Sequence, residues 1–232
     1  MASRPAFFST HNEPFVKRVF IDFVWHPGFS SVQKKKSIAE LHAAIKSRFP
    51  ASDPLETSSK SEEGLGKRMS AFNLSFISKN GREVSVESAF QGSKIFEGGG
   101  PYHDLYEVPA IDAKKDVRIR SSGKIIGFNF YGRLFPATPK TLFYNWLFIN
   151  TVTWSKFPIE ELARHSVFTD IEFNPDRSLN CQAAVAALIV SLYREGVLEK
   201  ASNLDYLSRV LGGIEDAWDS SGKKLPSKSK LK

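Results

Sequence analysis

The chain has 232 residues, 41% of them apolar, so it can bury one sizeable core, and length alone permits one domain or two small ones. Its net charge of +7 is concentrated in Lys223, Lys224, Lys228, Lys230 and Lys232, a stretch without acidic residues; about +2 remains for the rest, which excludes an inference of specific nucleic-acid binding from charge alone. The apolar stretches 141–152 and 183–190 fall short of the roughly 20 residues that span a bilayer, residues 1–8 hold no apolar run fit for a signal peptide, and a lone cysteine, Cys181, forms no internal disulfide, so a cytoplasmic protein without membrane association is expected.

In chain order, residues 15–25 alternate through Val19, Ile21, Phe23 and Trp25 as a strand closed by His26-Pro27-Gly28. Ser37 and Glu40 have capping-box spacing, and Ile38, Leu41 and Ile45 form the stripe of a helix that stops before Pro50. Residues 54–70 read as polar loop, 72–77 as a short apolar run, and Asn80-Gly81 as a turn before a helix that starts after Ser85. The Gly98-Gly99-Gly100-Pro101 run follows a helix instead of opening one, which makes it a breaker and not a phosphate cradle.

Farther on, residues 111–121 predict a short basic helix and 123–135 a hairpin or strand. Thr138-Pro139 starts a helix that runs to about Trp154 and is apolar nearly all round, hence core; Pro158 starts another that ends near His165. Residues 168–175 predict an extended segment with Asp170 and Glu172 on one side, followed by a buried helix capped at Asn180 and ending at Gly196, then a last helix over 204–211. The expectation is an α+β fold, a single helix-dominated domain with a small β-sheet: a flexible lead over 1–14, the domain over 15–212, and a disordered basic tail over 213–232.

The most informative chemistry lies in one helix. Glu87, Gln91 and Lys94 stand at i, i+4 and i+7 and share a face, so a carboxylate, an amide and an ammonium line up in a row able to grip an anionic ligand and move a proton. A solvated helix face with Glu87 offsetting the helix dipole explains the same residues, and both readings stand at this point. The five histidines lack metal-ligand spacing, which predicts no metal, and Cys181 beside Ala183 and Ala184 reads as packing. No nucleotide-binding fingerprint follows a strand, so no cofactor is expected.

Several motifs together carry a resemblance. Ser70-Ala-Phe72-Asn73, Glu87-Ser-Ala-Phe90-Gln91-Gly-Ser-Lys94, Ala113-Lys-Lys, Asp170-Ile-Glu172-Phe173-Asn174 and the helix from Asn180 resemble the NADAR family, named for NAD and ADP-ribose. The family's Phe-Ser-Asn-Phe, Glu-His-Tyr-x-Gln-Ala-x-Lys and Asp-x-x-Trp-Gly steps match these in order and spacing; Ala71 and Phe173-Asn174 depart from it. Trp25-His-Pro-Gly-Phe-Ser, Gln33-Lys-Lys-Lys-Ser-Ile, Ser58-Ser59-Lys60-Ser and Phe168-Thr-Asp-Ile-Glu-Phe-Asn-Pro further resemble the branch that serves as antitoxin to DarT toxins, over about residues 15–211.

What the resemblance implies is a hydrolase that cuts the N-glycosidic bond between ADP-ribose and guanine in DNA, with ADP-ribosylated DNA as substrate, ADP-ribose as product and a DarT-type toxin as its counterpart. It implies Glu87, Asp170 and Lys60 as catalytic residues. Ligand-binding roles fall to Ser59, Phe72, Asn73, Phe90, Gln91, Lys94, Glu172, Phe173, Asn174, Asn180 and Gln182, with a ligand cleft between the Glu87 helix and the Asp170 strand. Two other functions fit the residues: a non-catalytic ADP-ribose-binding module, and an N-glycosidase for small aminated ribose phosphates.

Overall fold

The computed structural model describes residues 1–176 and 178–217. It opens with β1 (Ala2–Ser9), β2 (Val16–Phe23), α1 (Ser31–Arg48), β3 (Pro54–Glu56) and α2 (Gly64–Arg68). Next come β4 (Ser75–Ile77), β5 (Glu83–Ser85), α3 (Val86–Gly92), β6 (Lys94–Phe96), a 3-10 turn over His103–Glu107, α4 (Ala110–Lys115), α5 (Val117–Ser121), β7 (Ile125–Phe130), β8 (Arg133–Pro136) and α6 (Leu142–Trp154). Then follow α7 (Ile159–Leu162), β9 (Val167–Thr169), α8 (Gln182–Arg194), a 3-10 turn over Leu198–Ser202 and α9 (Leu204–Ala217). The class is α+β as expected, although among the described residues the strands form three small sheets where one was expected. Residues 1–69 and the described residues from 158 onward make one compact unit, and residues 70–157 a second.

The first unit is built on a sheet ordered β2-β1-β9-β3, antiparallel except where β3 runs parallel to β9. Alternation on β2 places Val19, Ile21 and Phe23 with Ala6 of β1 against Ile38, Leu41 and Ile45 of α1, the stripe read from the sequence. Leu41 and Ile45 are fully buried, each contributing about 1.5–3 kcal/mol of apolar burial. The expected flexible lead over 1–14 is replaced by β1, which pairs with β2 from Ala2↔Phe23 to Ser9↔Val16. Pro5, Ala6 and Phe7 of β1 are all buried, so both faces are covered and no alternation signals the strand.

Two helix starts also differ from expectation. α1 begins at a Ser30 cap that accepts from Gln33 N–H at 3.3 Å, an alternative capping-box spacing, because Lys34, Lys35 and Lys36 are good helix formers and carry the helix upstream. Ser37 lies inside the helix, and its hydroxyl accepts from His26 N–H at 3.0 Å. The cap position of α8 is Cys181 and not Asn180; its end is marked by Gly196 at φ +66°. α9 continues through Ala217, beyond the expected 211, so the proposed tail over 213–232 is helical in its first residues, and positions 218–232 lie outside the described residues.

In the second unit, β4 and β5 form a hairpin turned at Asn80-Gly81, with Gly81 at φ +74° and Ser78 N–H donating to Arg82 C=O at 2.8 Å. β6, β7 and β8 make an antiparallel sheet in which Phe128 and Phe135 meet Phe143 of α6, ring centroids 4.7 Å apart in both pairs. α6 is buried along almost its whole length, as its all-round apolarity requires. The single basic helix expected over 111–121 is interrupted at Asp116, which takes an extended backbone and caps α5 by accepting from Arg118 N–H at 2.9 Å.

Candidate active site

The row of polar groups expected on the Glu87 helix is present, but it is buried, which removes the solvated-face reading: Glu87, Gln91 and Lys94 are 6%, 6% and 8% exposed. Ser85 caps α3 by accepting from Ser88 N–H at 3.0 Å, and the next donors, Val86 and Glu87 N–H, reach Leu74 and Ala71 C=O at 2.8 and 2.9 Å. The loop over 70–74 therefore seats the first turn of α3, and the two motifs separated in sequence are joined. α3 ends at Gly92, a position that takes no side chain because a Cβ there would lie 2.6 Å from the Tyr106 ring, and Ser93 follows as its cap. Lys94 consequently opens β6 instead of extending the helix, and still reaches Gln91.

A chain of hydrogen bonds results. Lys94 Nζ donates to Gln91 Oε1 at 2.6 Å, and Gln91 Nε2 donates to Glu87 Oε1 at 2.9 Å, so the amide is fixed in one orientation between ammonium and carboxylate. Burial lowers the Lys94 pKa to about 8; the Glu87 charge opposes that shift and Lys114 adds to it. Lys114 of α4 stands 3.8 Å from Glu87 Oε1 and 5.0 Å from the Phe72 ring centroid. Lys114 is the first lysine of the Ala113-Lys-Lys motif, whose sequence alone signals no site role for it. Phe90 lies under Lys94 Nζ at 4.7 Å and packs against Phe128, Phe143 and Tyr144, which gives it a place in the aromatic core.

The first unit carries a second acidic centre. β9 stops at Thr169, so Asp170 begins a turn: Phe173 N–H donates to its C=O at 3.1 Å and Glu172 N–H to its Oδ1 at 3.0 Å. The expected Asp170/Glu172 pair on one strand face is thereby corrected, since Glu172 turns to the surface and ion-pairs with Lys34 at 3.5 Å. The carboxylate that accompanies Asp170 is Glu56 at the end of β3, fully buried and missed in the sequence. It accepts from the Thr169 hydroxyl at 2.7 Å, Ile171 N–H at 2.9 Å and Ser58 N–H at 3.3 Å. Burial raises the pKa of both acids, and the negative charge of Glu56 adds to the rise at Asp170. Gly66 of α2 leans on the Glu56 carbonyl so closely that no side chain fits there.

Lys60 is half-buried, with its N–H on the Ser58 hydroxyl at 3.2 Å, and Ser59 is exposed. Phe173 meets Phe7 edge-on at 6.4 Å, while Asn174 accepts from Asp176 N–H at 3.0 Å as a turn former. Asn73 N–H bonds Ser70 C=O at 2.8 Å within the loop that seats α3. Gln182 is buried in the first turn of α8, and the Asn180 Oδ1 atom is buried without a hydrogen bond among the described residues. Glu87, Phe72, Asn73, Phe90, Gln91 and Lys94 belong to the second unit; Ser59, Lys60, Asp170, Glu172, Phe173, Asn174, Asn180 and Gln182 belong to the first.

A family model described as DarT1-associated NADAR antitoxin matches residues 2–215, from the start of β1 into α9. The chain belongs to this family. The match starts earlier than the residue 15 at which the resemblance was read to begin, in keeping with a first strand that pairs along its full length with β2. No curated protein matches the chain. Among the described residues, no helix of this NADAR antitoxin is long and apolar enough to cross a membrane.

Proposed function

We propose that this NADAR antitoxin is an ADP-ribosyl hydrolase that releases ADP-ribose from guanine bases in DNA, reversing the mark of a DarT-type DNA ADP-ribosyltransferase. The observation that carries the reading is the buried Lys94–Gln91–Glu87 chain. Glycosidic cleavage passes through an oxocarbenium-like state, and a carboxylate excluded from water and oriented by hydrogen bonds stabilises that charge more strongly than a solvated one. Glu87 takes this role. Gln91 holds the carboxylate still, and Lys94 and Lys114 supply positive charge for the diphosphate of the substrate.

Net hydrolysis adds hydroxide to the ribose C1 and a proton to the guanine nitrogen, with no change of oxidation state, so no nicotinamide is consumed. Asp170 and Lys60 are proposed as further catalytic groups, Asp170 as an acid and Lys60 as an amine able to engage the sugar. The test is an oligonucleotide bearing ADP-ribosyl-guanine, incubated with purified protein without added metal or NAD and read by mass spectrometry. The expected products are unmodified DNA and free ADP-ribose. Unchanged DNA with thermal stabilisation by ADP-ribose would mark a binding module instead, and cleavage of aminated ribose phosphates with DNA untouched would mark a metabolite glycosidase.

A further inference from the structure

Glu56 has no role in the reading above, yet its hydrogen bonds bracket Asp170. Oε2 accepts from the Thr169 hydroxyl and Oε1 from Ile171 N–H, the residues on either side of Asp170, and Ser58 N–H adds a third donor to Oε1. The Thr169 hydroxyl gives its proton to Glu56, so the His42 Nε2 atom, 2.9 Å from that hydroxyl, is the donor of its bond. A neutral imidazole, a hydroxyl and two backbone N–H groups thus converge, directly or in relay, on one carboxylate. Three donors directed at an ionised carboxylate favour its anionic form, and the charge so held disfavours ionisation of the half-buried Asp170.

We propose that Glu56 is a positioning residue that keeps the negative charge of the pair, so that Asp170 is the member carrying the proton at neutral pH. The groups around the pair support this division. Cys181, at the cap position of α8, is held as a neutral thiol first by burial, and the Glu56 charge acts in the same direction. His42 of α1 is held neutral, its pKa lowered to about 4 first by burial and then by Lys46 and His165, with Asp53 opposing. Glu172 adds negative charge near Asp170 and is itself paired with Lys34. Asp170 is pushed up to about 7 by burial first and then by Glu56, against the backbone hydrogen bonds from Glu172 and Phe173; Glu56, itself raised by burial, is held down by the donors of Ser58, Ile171 and Thr169.

The inference deepens the hydrolase reading and rests on it only for the proton's destination. When the bond from ribose C1 to the guanine nitrogen breaks, the nitrogen takes the Asp170 proton; the water oxygen that bonds to C1 loses a proton, which returns the carboxyl to its starting state. The protonation itself is a property of the free protein and is tested there. Carboxyl carbons are followed by NMR against pH in the full chain and in Glu56→Gln. The expected result is an Asp170 midpoint near 7 in the natural chain, lowered by at least one pH unit in the variant.

In Glu56→Gln the new amide donor faces the Thr169 hydroxyl, which reverses that bond and turns the hydroxyl toward His42. The imidazole proton is then expected on Nδ1, visible in ring nitrogen shifts. Thr169→Val, which removes one donor and keeps the shape, weakens the hold of Glu56 on its charge and is expected to lower the Asp170 midpoint as well, so the test survives if one variant fails to fold. An Asp170 that titrates in the ordinary carboxylate range, or a midpoint unmoved in both variants, overturns the proposal. In the DNA assay the upper pH limb of kcat is expected to move down with the Asp170 midpoint while KM is little changed. A shifted midpoint in a chain that leaves DNA untouched supports the proton assignment and removes the hydrolase reading.

Discussion

Lys94 holds its proton against burial. A lysine whose folded pKa is about 8 against 10.5 for the free side chain binds fewer protons folded than unfolded between those two pH values. Stability from this group therefore rises as pH climbs from about 8 to about 10.5, by at most about 3 kcal/mol. Lys94→Met has no such group to titrate, so its urea-unfolding free energy is expected to gain less than that of the natural chain between pH 8 and pH 10; parallel curves would contradict a lysine pKa lowered by burial. The Glu87–Gln91–Lys94 row was legible because helical spacing reports neighbours four residues apart. Glu56 was not, since its Thr169 and Ile171 partners lie 113 and 115 residues away and a three-residue strand offers no local pattern. Asp170 and Glu172 were misread as a pair because an extended period was carried past the point where β9 turns.

At the scale of elements, α3 is the piece on which the site depends, and seven residues are too few to hold a helix without tertiary support. Its start is secured by the Ser85 hydroxyl and by the loop carbonyls of Ala71 and Leu74. Ser85→Ala is expected to cost about 1 kcal/mol of stability in urea unfolding, more than a surface serine elsewhere, because an orphaned donor remains at a buried helix end. A loss no larger than that of an exposed serine would mean the loop alone secures the turn. Elements with strong local signals were readable: β2 by alternation, the β4–β5 hairpin by Asn80-Gly81, α6 by its continuous apolarity. β1 was hidden because both of its faces are covered, and α1 started early because two serine caps competed and the lysines between them favour helix.

Across the whole molecule, sequence order says little about which segments meet. The first unit joins residues near the N-terminus to β9 and α8, with Phe7 opposite Phe168 in the sheet and Ser191 hydroxyl donating to Phe15 C=O at 2.6 Å. The second is continuous in sequence and was correspondingly easier to read. Periodicity gives no role to Asp170; the family resemblance is what implies catalytic roles for Glu87 and Asp170.

The central claim is that the buried Glu87 carboxylate is the group that accelerates release of ADP-ribose. Its most direct test is the single-turnover rate of Glu87→Gln on ADP-ribosylated DNA, beside a folding control. Glutamine preserves the hydrogen bond from Gln91 and removes the charge, and the account predicts at least about a 100-fold slower release with an intact fold. A variant that folds normally and restores the DNA at the natural rate would contradict it.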